Sequence, residues 1–176
     1  EKDKAAFYAQ IFDALRRADA PQAEREPVLA EWRRSLEAAI AAAPGPHAFQ
    51  ERAALASYWV EILDDPEPAA AELDWLLRYD PNNVSWLVLR ARAARLRGEP
   101  QRAVEILDQA IEHRRRSGTG RIISATERIE YGLALLAVGR RDEALAALNE
   151  GLADVPEGSK AEAEGRAGLA AIKGDR

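Results

Sequence analysis

The sequence predicts an all-α protein of about nine helices, stacked as antiparallel pairs. Three observations predict it. Apolar residues recur at helical spacing along almost the whole chain, and no stretch alternates long enough to make a strand. Helix breakers fall at regular intervals and leave connections of only two to five residues, which force consecutive helices to lie antiparallel. Alanine makes up roughly a fifth of the chain while only 6% is aromatic, a composition that favours closely approaching helices over a β-sandwich.

Taken in order, the expected helices span about 2–19, 23–43, 48–63, 66–79, 82–97, 100–116, 123–138, 141–154 and 159–172. Pro44 marks the end of the second. Asp65-Pro66 reads as an N-cap followed by proline in the first turn. Asp80-Pro81-Asn82-Asn83 closes one helix and offers caps for the next. Gly98-Glu99-Pro100 joins a C-terminal glycine to a proline start. Ser124 with Glu127, and Ser159 with Glu162, have the spacing of a capping box. Gly139 closes the seventh helix.

A repeat underlies this punctuation. Ala69, Ala103 and Ala144 each stand four residues before a leucine (Leu73, Leu107, Leu148) and seven before Leu76, Ala110 or Gly151. Five residues ahead of each alanine lie Asp64, Gly98 and Gly139. Ala69 and Ala103 are 34 residues apart, and Ala103 and Ala144 are 41 apart. The surplus is expected as a loop near Arg116-Ser117-Gly118-Thr119-Gly120-Arg121. Small residues are needed where two helices of a pair touch: Ser57, Ala91 and Gly132 in the first helices, Ala103 and Ala144 in the second. An interior helix must be apolar on two faces. The fifth is so, with Leu87, Ala91 and Ala94 in one stripe and Trp86, Leu89, Ala93 and Leu96 in another.

A 34-residue helix–turn–helix period with Ala-x-x-x-large in its second helix resembles the tetratricopeptide repeat (TPR). The resemblance covers residues 49–156, about three repeats, and is clearest from Pro81 to Arg114. It departs from the family pattern at Arg90, where leucine is usual, at Ala94 and Leu135, where tyrosine is usual, and at Trp86, one residue early. Residues 1–44 are expected to be a degenerate repeat or flanking helical pair, 45–156 the repeats, and 157–176 a C-terminal capping helix with a polar outer face. With no methionine and a start at Glu1, the chain reads as a fragment or processed product.

No catalytic residue, cofactor or metal site is expected. There is no cysteine, which excludes disulfides and thiolate sites. His47 and Glu51 are one helical turn apart, two ligands where a catalytic zinc normally takes three from the protein, so His47 reads as a solvated helix start. Ser117-Gly118-Thr119-Gly120-Arg121 lacks the strand and Gly-Lys ending of a phosphate loop. Asp64-Asp65 and Glu162/Glu164 read as helix-end carboxylates. Arg114-Arg115-Arg116 reads as cations complementing a helix dipole. The net charge of −5 argues against nucleic acid, and no apolar run is long enough to insert into a membrane.

The resemblance implies a right-handed superhelical solenoid, and a non-catalytic scaffold or adaptor that binds a protein or peptide on the concave face lined by first helices. The exposed stripe is expected at Glu51, Ala54, Tyr58 and Glu61, then Ser85, Val88, Arg92 and Arg95, then Thr126, Ile129, Leu133 and Leu136. Arg92 and Arg95 would suit a partner bearing an acidic group beside hydrophobic anchors. The alternatives are a structural or homo-oligomerising module whose groove is filled by its own helices, and a periplasmic accessory domain of a bacterial secretion or polysaccharide-export assembly. A cytoplasmic and a periplasmic setting are both open. Leu133 and Leu136 have a bland reading as packing against a neighbouring helix, and the arginines as a solvated face.

Overall fold

The computed structural model describes residues 2–43, 45–116 and 124–174. Every described regular element is helical, and the chain divides into two compact units, 1–76 and 77–176. Pro44 and the segment 117–123, which holds most of the expected extra loop, lie outside the described residues.

The first unit opens with α1 (Lys2–Arg17) and α2 (Gln22–Ala42). A 3-10 turn (Pro46–Ala48) leads into α3 (Phe49–Ser57), which runs on as a π-helical turn over Tyr58–Ile62. There Leu63 N–H reaches Tyr58 O at 3.3 Å, five residues back instead of four. The boundary between units falls within α4 (Ala69–Tyr79). This helix starts three residues later than expected from Asp65-Pro66. Glu67 and Pro68 form a turn instead, in keeping with the bias of a residue before proline away from helical backbone, and the helix begins after it. Asp65 Oδ1 instead accepts from Glu67 N–H at 3.4 Å across the turn. In α3 it is Ala56 that is sealed completely, while Ser57, the expected contact residue, is only half-buried.

The second unit contains α5 (Val84–Leu96), α6 (Pro100–Arg116), α7 (Ala125–Ala137), α8 (Arg141–Asp154) and α9 (Lys160–Gly174). Its helix starts follow the local chemistry. Asn83 Oδ1 accepts from Trp86 N–H at 3.3 Å. Glu127 N–H donates to Ser124 Oγ at 3.3 Å and Ser124 N–H donates back to Glu127 Oε2 at 2.6 Å, a complete capping box. At α9 Glu162 N–H donates to Ser159 Oγ at 3.1 Å, and the Glu162 carboxylate takes Gly158 N–H.

The repeat columns are structural columns. Ala69, Ala103, Ala144, Leu73, Leu107 and Leu148 are all buried. Close approach explains the small residues. A Cβ on Gly132 would lie 2.7 Å from Leu148 Cγ, and one on Gly151 would lie 2.6 Å from Ile129 Cγ1. The column Asp64, Gly98, Gly139 shares a left-handed φ, of +51°, +75° and +81°. After Gly98, Glu99 N–H reaches Ala94 O at 2.9 Å and Gly98 N–H reaches Arg95 O at 3.0 Å. Gly139 and Arg140 make the same pair of bonds to Leu136 and Leu135, closing the carbonyls left open at a helix end. α1 ends the same way at Asp19, whose φ is +49°, a position with no match in the repeat alignment.

Candidate partner-binding face

In the second unit the expected stripe divides by depth. Ser85 and Thr126, near the starts of α5 and α7, are exposed, and Val88 is half-buried. Ile129 is 1% exposed and belongs to the core. Leu133 and Leu136 are half-buried, with the α9 backbone drawn close. A Cβ on Gly168 would lie 3.0 Å from Leu133 Cδ2 and 3.8 Å from Leu136 Cδ2. The bland reading of these leucines, packing against a neighbouring helix, describes what they do.

The arginines are not solvated, which corrects their expected place on an open face. Arg92 is 8% exposed and grips Glu164 of α9 with two N–H groups, at 2.6 and 3.1 Å. Arg95 holds Glu130 of α7 in the same forked way, at 2.6 and 3.0 Å, and Arg92 lies 3.8 Å from the same carboxylate. Glu130 is 3% exposed. Two guanidinium groups and two carboxylates thus tie α5 to α7 and α9. Forked pairing of this kind supplies geometry as well as attraction, because the planar guanidinium matches a carboxylate edge. Arg92 and Arg95, three apart, share a helix face, which the sequence shows. That Glu130 and Glu164 would meet them is a tertiary fact with no local signal.

In the first unit Glu51 and Tyr58 are buried, because α1 and α2 cover this part of the stripe. Ala54 is half-buried and Glu61 exposed. Lys2 Nζ meets Glu51 Oε1 at 3.1 Å and donates to His47 O at 2.9 Å. The Tyr58 ring is packed edge-on against Trp32 of α2, centroids 5.7 Å apart. Burial raises the pKa of the Tyr58 hydroxyl. The Arg33 charge opposes that rise and Glu37 adds to it, so both groups sense this hydroxyl.

The other singled-out groups are paired. Arg114 binds Glu127 at 2.9 Å, and Arg115 and Arg116 both hold Glu112, whose carboxyl their hydrogen bonds lower to about 2. Among the described residues no three His, Cys, Asp or Glu side chains gather as a metal site, and no helix is long and apolar enough to cross a membrane.

Helix pairs closed at a recurring left-handed residue and packed through a recurring Ala-x-x-x-Leu face define a TPR-like helical-repeat fold. Among solved structures the chain is similar to a thermophilic TPR protein of Thermus thermophilus, with a TM-score of 0.60 and 18% identity over 83% of this chain and 75% of that one. No family model matches the sequence, and no curated protein matches it. At that identity the likeness establishes the fold.

Proposed function

We propose that the protein is a non-catalytic interaction scaffold that takes a protein or peptide partner on the outward first-helix positions of its second unit, Ser85, Val88 and Thr126. The observation that supports this reading is the repeat fold itself, which generally serves protein–protein interaction, together with the exposure of Ser85 and Thr126 from the expected stripe. Arg92 and Arg95 enter as positioning residues that hold α7 and α9, and their charge is met within the fold. The partner therefore needs no acidic group. The test compares capture of host proteins by the wild-type chain and by a Ser85→Arg, Thr126→Arg double variant. A protein retained by the first and lost by the second, with unchanged circular dichroism, supports the face. Equal capture overturns it.

A second reading, a structural module, is favoured by one observation. Much of the expected stripe is covered from within: by α1 and α2 over Glu51 and Tyr58, by α9 over Leu133. Self-association in analytical ultracentrifugation, abolished by the same double variant, would select it. The turn at Asp19 further supports reading α1 and α2 as a degenerate first repeat.

A further inference from the structure

A stack of helical repeats ordinarily couples only neighbours, so its last helix is free to open alone. The second unit carries a contact that departs from this rule. Arg92 of α5 reaches Glu164 of α9, 72 positions on, with two N–H groups at 2.6 and 3.1 Å. Yet α9 packs chiefly on α7 and α8. It brings little bulk to that seat. Its buried residues are Ala161, Gly165, Gly168 and Ile172, so one large side chain stands among four. Glycines within a helix also weaken it. The Arg92–Glu164 pair therefore carries a large share of what holds α9 in place.

A second carboxylate stands within reach. Glu130 of α7 is buried in the fork of Arg95, at 2.6 and 3.0 Å, and lies 3.8 Å from Arg92 as well. Two guanidinium groups thus converge on two carboxylates, of which α9 supplies one. A buried charge that loses its partner is strongly disfavoured. If Glu164 leaves with α9, Glu130 is the replacement already at hand for Arg92. Arg95 then has to share the carboxylate that it now holds with two N–H groups.

We propose that Arg92, Arg95, Glu130 and Glu164 form a partner-exchange relay. With α9 docked, each arginine holds its own carboxylate. With α9 open, Arg92 turns to Glu130 and competes with Arg95, so the state of α9 is passed to the contact between α5 and α7. Such a relay has two discrete arrangements of the same groups, which is what coupling between separated elements requires. It gives α9 a regulatory hold over the two helices that carry Ser85 and Thr126. The relay stands whether or not a partner binds there.

The test needs no partner. In the full chain, hydrogen exchange of the Arg95 Nε–H, which donates to Glu130 Oε1, is followed by nuclear magnetic resonance beside that of the α9 amides. Ile172→Ala removes the large side chain that α9 buries and no charge, and should speed exchange of the α9 amides by about tenfold or more. The Arg95 Nε–H is expected to quicken with them. Glu164→Gln withdraws the charge and keeps the shape, and should have both effects. The Glu164 side chain is 25% exposed, so this variant keeps the test valid if Ile172→Ala fails to fold. An Arg92→Met background removes the competitor, and there Glu164→Gln should leave the Arg95 Nε–H unmoved. Three results would each overturn the relay: α9 amides that quicken while the Arg95 Nε–H keeps its rate, a Glu164→Gln chain whose α9 stays fully protected, or an Arg95 response that persists in the Arg92→Met background.

Discussion

Single residues carry much of the specification. Asp19 holds a left-handed conformation that costs a non-glycine residue about 1 kcal/mol, and it places a negative charge at a helix C-terminus, where the dipole opposes it. Asp19→Gly is therefore expected to stabilise by about 0.5–1 kcal/mol, measured as a higher denaturation midpoint. Gly151→Ala runs the other way. Helix propensity favours alanine by up to about 1 kcal/mol. The new Cβ, however, would lie 2.6 Å from Ile129 Cγ1 and 3.0 Å from the Ala125 carbonyl, and overpacking of this kind costs about 1–3 kcal/mol. A lower melting temperature is the expected net result, and a higher one would mean that α7 and α8 separate easily. Tyr131 offers a check by pH. Burial and its hydrogen bond to Asp108, at 2.6 Å, push its pKa up to about 12, from 10.0 in an ordinary tyrosine. A raised phenol pKa means stabilisation that is complete below about pH 10 and lost as pH rises through 12. Ultraviolet titration should show one tyrosine ionising near pH 12, and Asp108→Asn should bring that step down.

At the scale of the element, the sequence resolves what local chemistry controls. The helices, their order and most of their ends follow from caps, glycines and prolines, and the Ser124–Glu127 box is a case where both hydrogen bonds were legible from four residues. Where it misled, two local signals competed or a distant one intervened. Pro68 overrode the start offered by Pro66. The π turn at Tyr58–Ile62 has no signature in composition or spacing, and Tyr58 leaves the expected open face because α2 supplies Trp32 to bury it. The arginines belong here too. Charge reversal, Arg92→Glu with Arg95→Glu, reads from sequence as a harmless change on an exposed face. In the fold it would place four carboxylates where two ion pairs stood. Loss of one partner of a buried pair costs about 3–5 kcal/mol. The double reversal is thus expected to loosen α9, measured as faster amide exchange in Lys160–Gly174. Retained protection there would show that glycine packing alone seats this helix.

For the whole molecule, repeat architecture makes stability nearly a sum of local contributions, so the two units need not melt together. Three of the four tryptophans, Trp32, Trp59 and Trp75, lie in the first unit. Tryptophan fluorescence is therefore expected to follow mainly that unit while circular dichroism follows both. Denaturant curves by the two probes should not coincide, and Gly151→Ala should move the dichroism curve alone. Coincident curves would establish one cooperative block. The repeat period that predicts this behaviour was plain in the sequence. The partners of Arg92 were not, since Glu130 and Glu164 stand on helices that no sequence spacing links to it.

The fork between Arg92 and Glu164 joins residues 72 positions apart, in a fold whose contacts are otherwise mostly between neighbouring helices. A ribosome adding about 5–20 residues per second leaves an interval of about 4–14 s between them. During that time α5 is complete, with α6 and α7 following, yet Arg92 still lacks the forked carboxylate that will neutralise it. Until α9 emerges, a positive charge and the apolar surface around Leu133 stay open to solvent, and its docking withdraws both at once.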